Sequence, residues 1–264
     1  MSEFYSAVAK ITGDTFVLGD PSEPARLAQE LIELKNELLG PLVVCVGGGA
    51  GNRGRDVTPY GIERLKADED GMVASVLNAS TLMDALGERA LGFTGVPQYV
   101  LEQHVKSEKD SARKAAIALA IVNLIHETEL RALEKIIDRN VPQDILVAGG
   151  GIGRGHVSTD FGAALFARDL VAPDKPTALL KGSGIDGVYS GDPRTDSSAT
   201  FLPHVSYDDA MQKGFKVVDL SAWPILKDGN VTTVVYRDAP GNMPRALRRE
   251  IGSRVDNTPT KLSA

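Results

Sequence analysis

The sequence predicts an α/β fold built on a mainly parallel sheet. Short apolar runs alternate along the chain with longer segments of helical spacing, the order that wraps a sheet in helices. The runs LVVCV (42–46) and ILVA (145–148) are apolar throughout, as strands covered on both faces must be. Both then pass directly into glycine clusters, GGGAGNRG at 47–54 and GGGIGRG at 149–155, a type of strand-to-helix junction common in α/β proteins.

Tyr5 to Ile11 reads as the first strand, followed by the turn-rich TGDTFVLGD. Ser22 then caps a helix in which Leu27, Leu31, Leu34 and Leu38 recur at helical spacing, stopped by Gly40-Pro41. Leu42 to Val46 is the second strand. Residues 71 to 86 form a helix with Val73, Val76, Leu77 and Met83 on one side, and the preceding RLKADEDGM already opens it. Between 88 and 143, SEKDSARKAAIALAIVNLIHETELRALEKIIDRN reads as two helices or one long broken helix. Ile145 to Ala148 is an interior strand. Ser158 and Thr159 are good N-cap residues for FGAALFARDL, where Ala163, Ala164 and Ala167 share a face. Next come a strand at Thr177 to Leu180, the turn-laden KGSGIDGVYSGDPRTD, and a helix capped by Ser206 with Asp209 as a capping-box partner. Val231 to Tyr236 is a last central strand, Asn242 caps a short helix, and the tail RVDNTPTKLSA reads as frayed.

Bulk properties narrow the function. At 264 residues the chain can bury a sizeable core as one large domain or two small ones. A net charge of −6 and a pI near 5.3 argue against a protein living on nucleic acid or anionic membrane, though a local basic pocket for a small phosphate is compatible with them. The single cysteine, Cys45, excludes an intrachain disulfide and sits in an apolar run, where it reads as a buried bystander. No stretch has the length of a membrane span, and MSEFYSAVAK lacks the pattern of a signal peptide. The expectation is a soluble, cytoplasmic protein.

The glycine loops are where chemistry enters. Residues 49 to 54 formally satisfy the dinucleotide pattern GxGxxG, but the next segment opens a helix, not a strand ending in an acid. No GxxxxGK[ST] occurs, so a Walker-type phosphate loop is excluded. Two glycine junctions remain, each carrying an arginine, Arg53 and Arg154, in an otherwise acidic chain. Amides brought close by glycine, together with the positive end of a helix, suit a phosphate. Lys10 sharpens this, because a buried strand rarely ends in an ammonium group; it reads either as an exposed strand end or as a point charge bridging phosphates.

Together, KITGD (10–14), VVCVGGGAGNRGRD (43–56), ADEDGMVASVLN (67–78), GGGIGRGHVSTD (149–160), LLKGSGIDGVYSGDPR (179–194) and PGNMPRAL (240–247) resemble the amino acid kinase superfamily. Within it they look like the bacterial and archaeal uridylate (UMP) kinases. The stretch around DGVYSGDPR is the most specific, and the resemblance runs in order along the chain but fades between 88 and 143.

The resemblance implies a single three-layer αβα domain over 1–264, with the acceptor UMP bound by about residues 1–143 and MgATP by about 144–264. It implies that Lys10, Asp160 and Lys181 are catalytic, with the Gly13 amide assisting Lys10. Gly47, Gly48, Gly49, Arg53 and Gly54 would cradle the UMP phosphate, Asp68 and Gly71 would lie by its ribose and base, and Gly151, Ser158 and Thr159 would line the acceptor pocket. Lys181, Ser183, Asp186, Tyr189 and Asp192 would hold ATP. No residue is assigned as a metal ligand, although Mg²⁺ is expected with ATP, and the family suggests a homohexamer. Thr12 and Asp14 stand where the family commonly has serine and glutamate, Arg154-Gly155-His156 replaces small and aromatic residues, and Gly184 replaces a frequent lysine. Two other readings stay open: a sister kinase with another small acceptor, and a non-catalytic nucleotide- or anion-binding or storage protein on the same fold.

Overall fold

A computed structural model describes residues 2–17, 20–49, 61–96, 98–112, 114–115, 117, 145–151 and 158–260. In chain order the strands are β1 (Ser6–Ile11), β2 (Leu42–Val46), β3 (Ala90–Thr94), β4 (Ile145–Gly149), β5 (Thr177–Ser183), β6 (Val188–Tyr189), β7 (Phe201–Leu202), β8 (His204–Ser206), β9 (Thr232–Arg237) and β10 (Ser253–Asp256). The helices are α1 (Ser22–Glu37), α2 (Gly61–Leu86), α3 (Gln98–Ser107), α4 (Thr159–Leu170), α5 (Tyr207–Lys213), α6 (Ala222–Asp228) and α7 (Asn242–Leu247).

Among the described residues, eight strands form one sheet in the order β3-β4-β2-β1-β5-β9-β10-β8, and β6 and β7 form a separate antiparallel pair. Every ladder of the large sheet is parallel except β9 with β10. Parallel pairing requires cover on both faces, and the strand sequences supply it. Residues 6 to 11 and 42 to 46 are buried at every position. Alternate residues feed two cores. Ala7, Ala9, Ile11, Val44 and Val46 pack with Leu27 and Leu31 of α1, Val73 and Leu82 of α2, and Met243 and Leu247 of α7. Val8, Val43, Cys45 and Leu179 pack with Ala163, Ala164 and Ala167 of α4, Tyr207 of α5 and Trp223 of α6. This is the three-layer αβα arrangement expected. Among the described residues, no helix is long and apolar enough to cross a membrane.

The central expectations hold and several boundaries change. Residues 42 to 46 form β2 as expected, Ser158 caps α4 by accepting the Phe161 amide at 3.2 Å, and α2 starts ten residues before Gly71. Ser22 does not cap α1: it is the first helical residue, and its amide is taken by Asp20 Oδ1 at 2.9 Å. The helix ends at Glu37, before Gly40, whose amide instead bonds the Tyr5 carbonyl at 2.7 Å. Asn242 likewise lies inside α7, with Gly241 at the cap in a left-handed conformation. At α5 the Ser206 hydroxyl accepts the Asp209 amide at 3.1 Å, but the Ser206 amide bonds Thr260 Oγ1 at 2.8 Å instead of the Asp209 carboxylate.

Residues 88 to 143 contain a strand that the helical reading did not include. β3 is short and carries Gly92, so only its pairing with β4 identifies it. Most of the segment read there as helical lies outside the described residues. The tail read as frayed is partly sheet: β10 sits between β9 and β8, and Val255 is fully buried. A chain ending at residue 252 therefore unpairs β8 and removes the Asp256–His204 contact at 3.1 Å. It should lose its cooperative thermal transition, whereas a chain ending at residue 260 should keep it; circular dichroism melts distinguish the two.

Candidate active site

A cleft of about 1380 Å³ opens at the carboxyl ends of β1, β2, β4 and β5 and is lined by Lys10, Gly48, Asp68, Asp160, Lys181 and Tyr189, among others. Strand register builds its centre. Lys10 pairs across the ladder with Lys181 on one side and Cys45 on the other, so two ammonium groups lie on the same face of adjacent strands. Lys10 is only 4% exposed, which rejects the reading of a solvated strand end. Its Nζ donates to the Ile11 carbonyl at 2.9 Å.

Both lysines converge on one carboxylate. Asp160 Oδ1 lies 3.0 Å from Lys181 Nζ and 3.5 Å from Lys10 Nζ, and Asp160 Oδ2 accepts the Asp219 amide at 3.2 Å. Asp160 is available here because Ser158 starts α4 two residues before it, which places its side chain in the first turn, over the strand ends. An acid there also suits the positive end of the helix.

The neighbouring charges and burial set the protonation of Lys10 and Asp160. Burial, aided by the neighbouring Lys181 charge, lowers the Lys10 pKa to about 8, while Asp160 pulls the other way. Burial alone raises that of Asp160, but Lys181 and Lys10 outweigh it and hold the carboxyl well below its usual range. Burial pushes the Cys45 thiol up to about 12 against the pull of Lys10. Cys45 is thus a protonated bystander at neutral pH, as its apolar run suggested. The lysines and Asp160 carry a net charge of +1 at the mouth of the cleft, which suits a ligand with more than one negative charge.

The described starts of the glycine loops, Gly47 to Gly49 and Gly150, line the cleft beside this centre. Gly13, in a short 3₁₀ turn after β1, packs on the 47–49 backbone: a Cβ on it would lie 2.1 Å from the Gly49 nitrogen, so no larger residue fits. From behind, α2 ties the loops together. Ser75 Oγ donates to the Val46 carbonyl at 2.7 Å and accepts the Gly150 amide at 2.7 Å, and Asn78 Nδ2 donates to the Gly47 carbonyl at 2.8 Å. Sequence reasoning missed Ser75 and Asn78; spaced three apart next to the buried Val76, they offered a helical-face signal.

That network corrects the expectation of bare amides throughout. The Gly47 amide is committed to the Ile11 carbonyl at 3.0 Å and the Gly150 amide to Ser75, so at these positions the glycines bring strands and loops together and do not donate to an anion.

Other expected site residues divide clearly. Gly13, Gly47, Gly48, Gly49, Asp68, Gly71, Ser158, Thr159, Ser183, Tyr189 and Asp192 line the cleft with the three charged residues. Gly150 takes the place on the lining expected for Gly151. Asp186 does not line the cleft: Arg237 Nε holds its carboxylate at 2.7 Å, and it faces a neighbouring cavity beyond the β6–β7 hairpin. Arg53, Gly54, Arg154 and His156 lie outside the described residues. The lining also includes residues 213–220, Thr15, Met72 and Asp238, which sequence reasoning did not select.

With this geometry in place, the sequence pattern of the amino acid kinase family matches residues 6–237. The chain belongs to the amino acid kinase family. It is 36% identical over 254 residues to a uridylate kinase of Clavibacter michiganensis, covering 94% of this chain and 95% of that one. It is 34% identical over 233 residues to a uridylate kinase of Limosilactobacillus reuteri, covering 87% and 85%. The fold matches the crystal structure of a UMP kinase from Bacillus anthracis with a TM-score of 0.71 at 21% identity, covering 99% of both chains. For this family member, two measurements test the site. The Lys10 ammonium should titrate near pH 8 by carbon-detected NMR, well below the ordinary lysine value of 10.5. Ser75→Ala should cost about 1–3 kcal/mol for each buried group left without a partner, and should speed amide exchange at Gly150; chemical denaturation and exchange rates read the two effects.

Proposed function

We propose that the protein transfers the γ-phosphate of ATP to UMP, giving ADP and UDP. The observation that carries this reading is the pairing of Lys10 and Lys181 through Asp160 at the mouth of a cleft lined by both glycine loops. Membership of a kinase family supports the reaction class, and the two uridylate kinase relatives support UMP as acceptor. The acceptor side lies within about residues 1–143, with Gly47 to Gly49 and Asp68 lining its pocket, and the donor side within about 144–264, with Ser183, Tyr189 and Asp192. Arg53 and Gly54 belong to the same acceptor reading. The setting is cytoplasmic pyrimidine nucleotide synthesis, and assembly as a homohexamer accords with the family resemblance.

A phosphate oxygen of UMP attacks the γ-phosphorus in line, a new P–O bond forms, and the bond to the β–γ bridging oxygen breaks, leaving the electron pair on ADP. The attacking oxygen is already anionic, so no general base is needed, in keeping with the lack of a role for His204, which pairs with Asp256. The protein's part is positioning and charge neutralisation. Lys10 meets the migrating phosphoryl group, Lys181 the donor phosphates, and Asp160 aims both ammonium groups and favours the charged form of Lys10.

Among the described residues, no side-chain cage for Mg²⁺ is formed. Both Asp160 oxygens are engaged by lysine and amide donors, and among the described residues no cluster of His, Cys, Asp and Glu is arranged to hold a metal. A magnesium ion would arrive on the triphosphate, which is how the ion commonly binds in phosphoryl-transfer sites, and would neutralise its charge there.

A coupled assay of ADP release with ATP and a panel of acceptors tests the reading. UMP should be turned over fastest; a preference for another acceptor, or nucleotide binding without ADP release, would overturn it. Lys10→Ala should lower kcat by about 10²- to 10³-fold, the usual effect of removing one preorganised charge from a transition state, with the fold retained by circular dichroism.

The pH profile is set by Lys10. Its charged form is the active one, and its free-protein pKa is lowered to about 8. Because kcat/KM reports the free enzyme, it should fall as pH rises through 8. In Lys10→Arg that basic limb should disappear, since a guanidinium keeps its proton to a pH above about 12.

A further inference from the structure

A second charged network lies beneath the cleft and is not used by the chemistry above. Arg26 of α1 reaches Glu30 Oε1 with Nη1 at 2.7 Å and Asp238 Oδ1 with Nη2 at 3.2 Å, and its Nε donates to Glu23 Oε2 at 2.8 Å. The Arg26, Glu30 and Asp238 side chains are 16%, 8% and 13% exposed, so the network is largely shut off from water.

Its two ends have different tasks. Glu30 holds the loop after β9, accepting the Gly241 amide at 3.0 Å and the Met243 amide at 3.3 Å. Asp238 touches both sides of the cleft. Its Oδ2 accepts from Thr15 Oγ1 at 3.3 Å, in the turn after the Lys10 strand, and its amide donates to the Ser183 carbonyl at 2.9 Å, two residues past Lys181. Thr15, Ser183 and Asp238 all line the cleft.

We propose that Arg26 is a positioning residue for phosphoryl transfer: by fixing the Asp238 carboxylate against Thr15, it sets the spacing between the turn after β1 and the end of β5. This rests on the phosphotransfer reading, because it makes that spacing the distance between acceptor and donor sides. Without Arg26, Asp238 Oδ1 loses its guanidinium partner, the Thr15 hydroxyl alone holds Oδ2, and the carboxylate charge faces a cleft meant for phosphates. Misplacement by about 1 Å can cost on the order of 10²-fold in rate even when substrates still bind.

Two variants approach the network from opposite ends. Arg26→Met keeps the packing and removes the guanidinium, and Asp238→Ala keeps the backbone bond to Ser183 and removes the carboxylate. For each, kcat, both KM values and amide exchange at residues 13–15 and 182–184 are measured below the melting temperature. The expected result is a fall in kcat of about 10- to 100-fold with each KM little changed, and faster exchange in both segments together. Glu30→Gln, which keeps one acceptor oxygen for the Gly241 amide but sets an NH2 group against the Met243 amide that Oε2 accepts, should lower the melting temperature and leave kcat alone. If both variants keep kcat within about twofold of the wild type, the network is structural and the proposal fails. If wild-type protein does not turn over UMP, the functional reading fails separately and the exchange data alone decide: faster exchange in both segments supports the role of Arg26, and unchanged exchange or a change confined to α1 overturns it.

Discussion

Two like charges on neighbouring strands, held by one carboxylate, govern the rest of this structure. Parallel register places Lys10 beside Lys181 on one face of the sheet, where strand spacing brings backbones within about 4.8 Å. Left alone, the buried Lys10 ammonium beside a second positive charge would be driven further toward its neutral form. Asp160 makes the arrangement stable in the charged form, and α4 must begin where it does for Asp160 to reach both. Such a group is a costly element of a core, since buried ions rarely repay their desolvation. The presence of its lysines on β1 and β5, whose other residues are uncharged, fits preparation for a polyanion.

The surrounding structure supplies the rigidity that such preparation needs. Gly13 lets the turn after β1 sit directly on the 47–49 backbone, and Ser75 fastens Val46 to Gly150 from a helix behind them. The starts of both loops are therefore braced by α2 as well as by their strands. On the other side, α1 reaches the β9–α7 connection through Arg26 and Glu30. Each bond of this kind replaces freedom that bound phosphates would otherwise have to remove, which is how binding energy is kept for the transition state.

Lys10 was legible in the sequence because it broke a local rule: a lysine at the end of an apolar strand is a poor choice for a core and a good one for a phosphate site. Asp160 and Lys181 came from the family resemblance, since an acid in the first turn of a helix is ordinary. The interior strands were legible for the opposite reason: β2 obeys the rule for doubly covered strands at every position. What could not be read depended on partners far along the chain. β3 and β10 are ordinary five- and four-residue segments that become strands only through pairing with β4 and with β8 and β9. Asp186, expected on the ATP side, faces the neighbouring cavity, because motif order says which residues are near a site, not which way each one faces. The glycines at 47 and 150 were credited with anion donation, but their amides were already needed to join loop to strand and loop to helix.

The central claim is that acceptor and donor phosphates meet over the Lys10–Asp160–Lys181 group, and a crystal structure with UMP and a non-hydrolysable ATP analogue tests it most directly. The account predicts the UMP phosphate and the γ-phosphate in the same cleft, facing each other at about 3–3.5 Å between reacting atoms, with the Lys10 ammonium between them and Lys181 on the triphosphate. Nucleotides lodged elsewhere, or with their terminal phosphates turned apart and Lys10 touching neither, would contradict it.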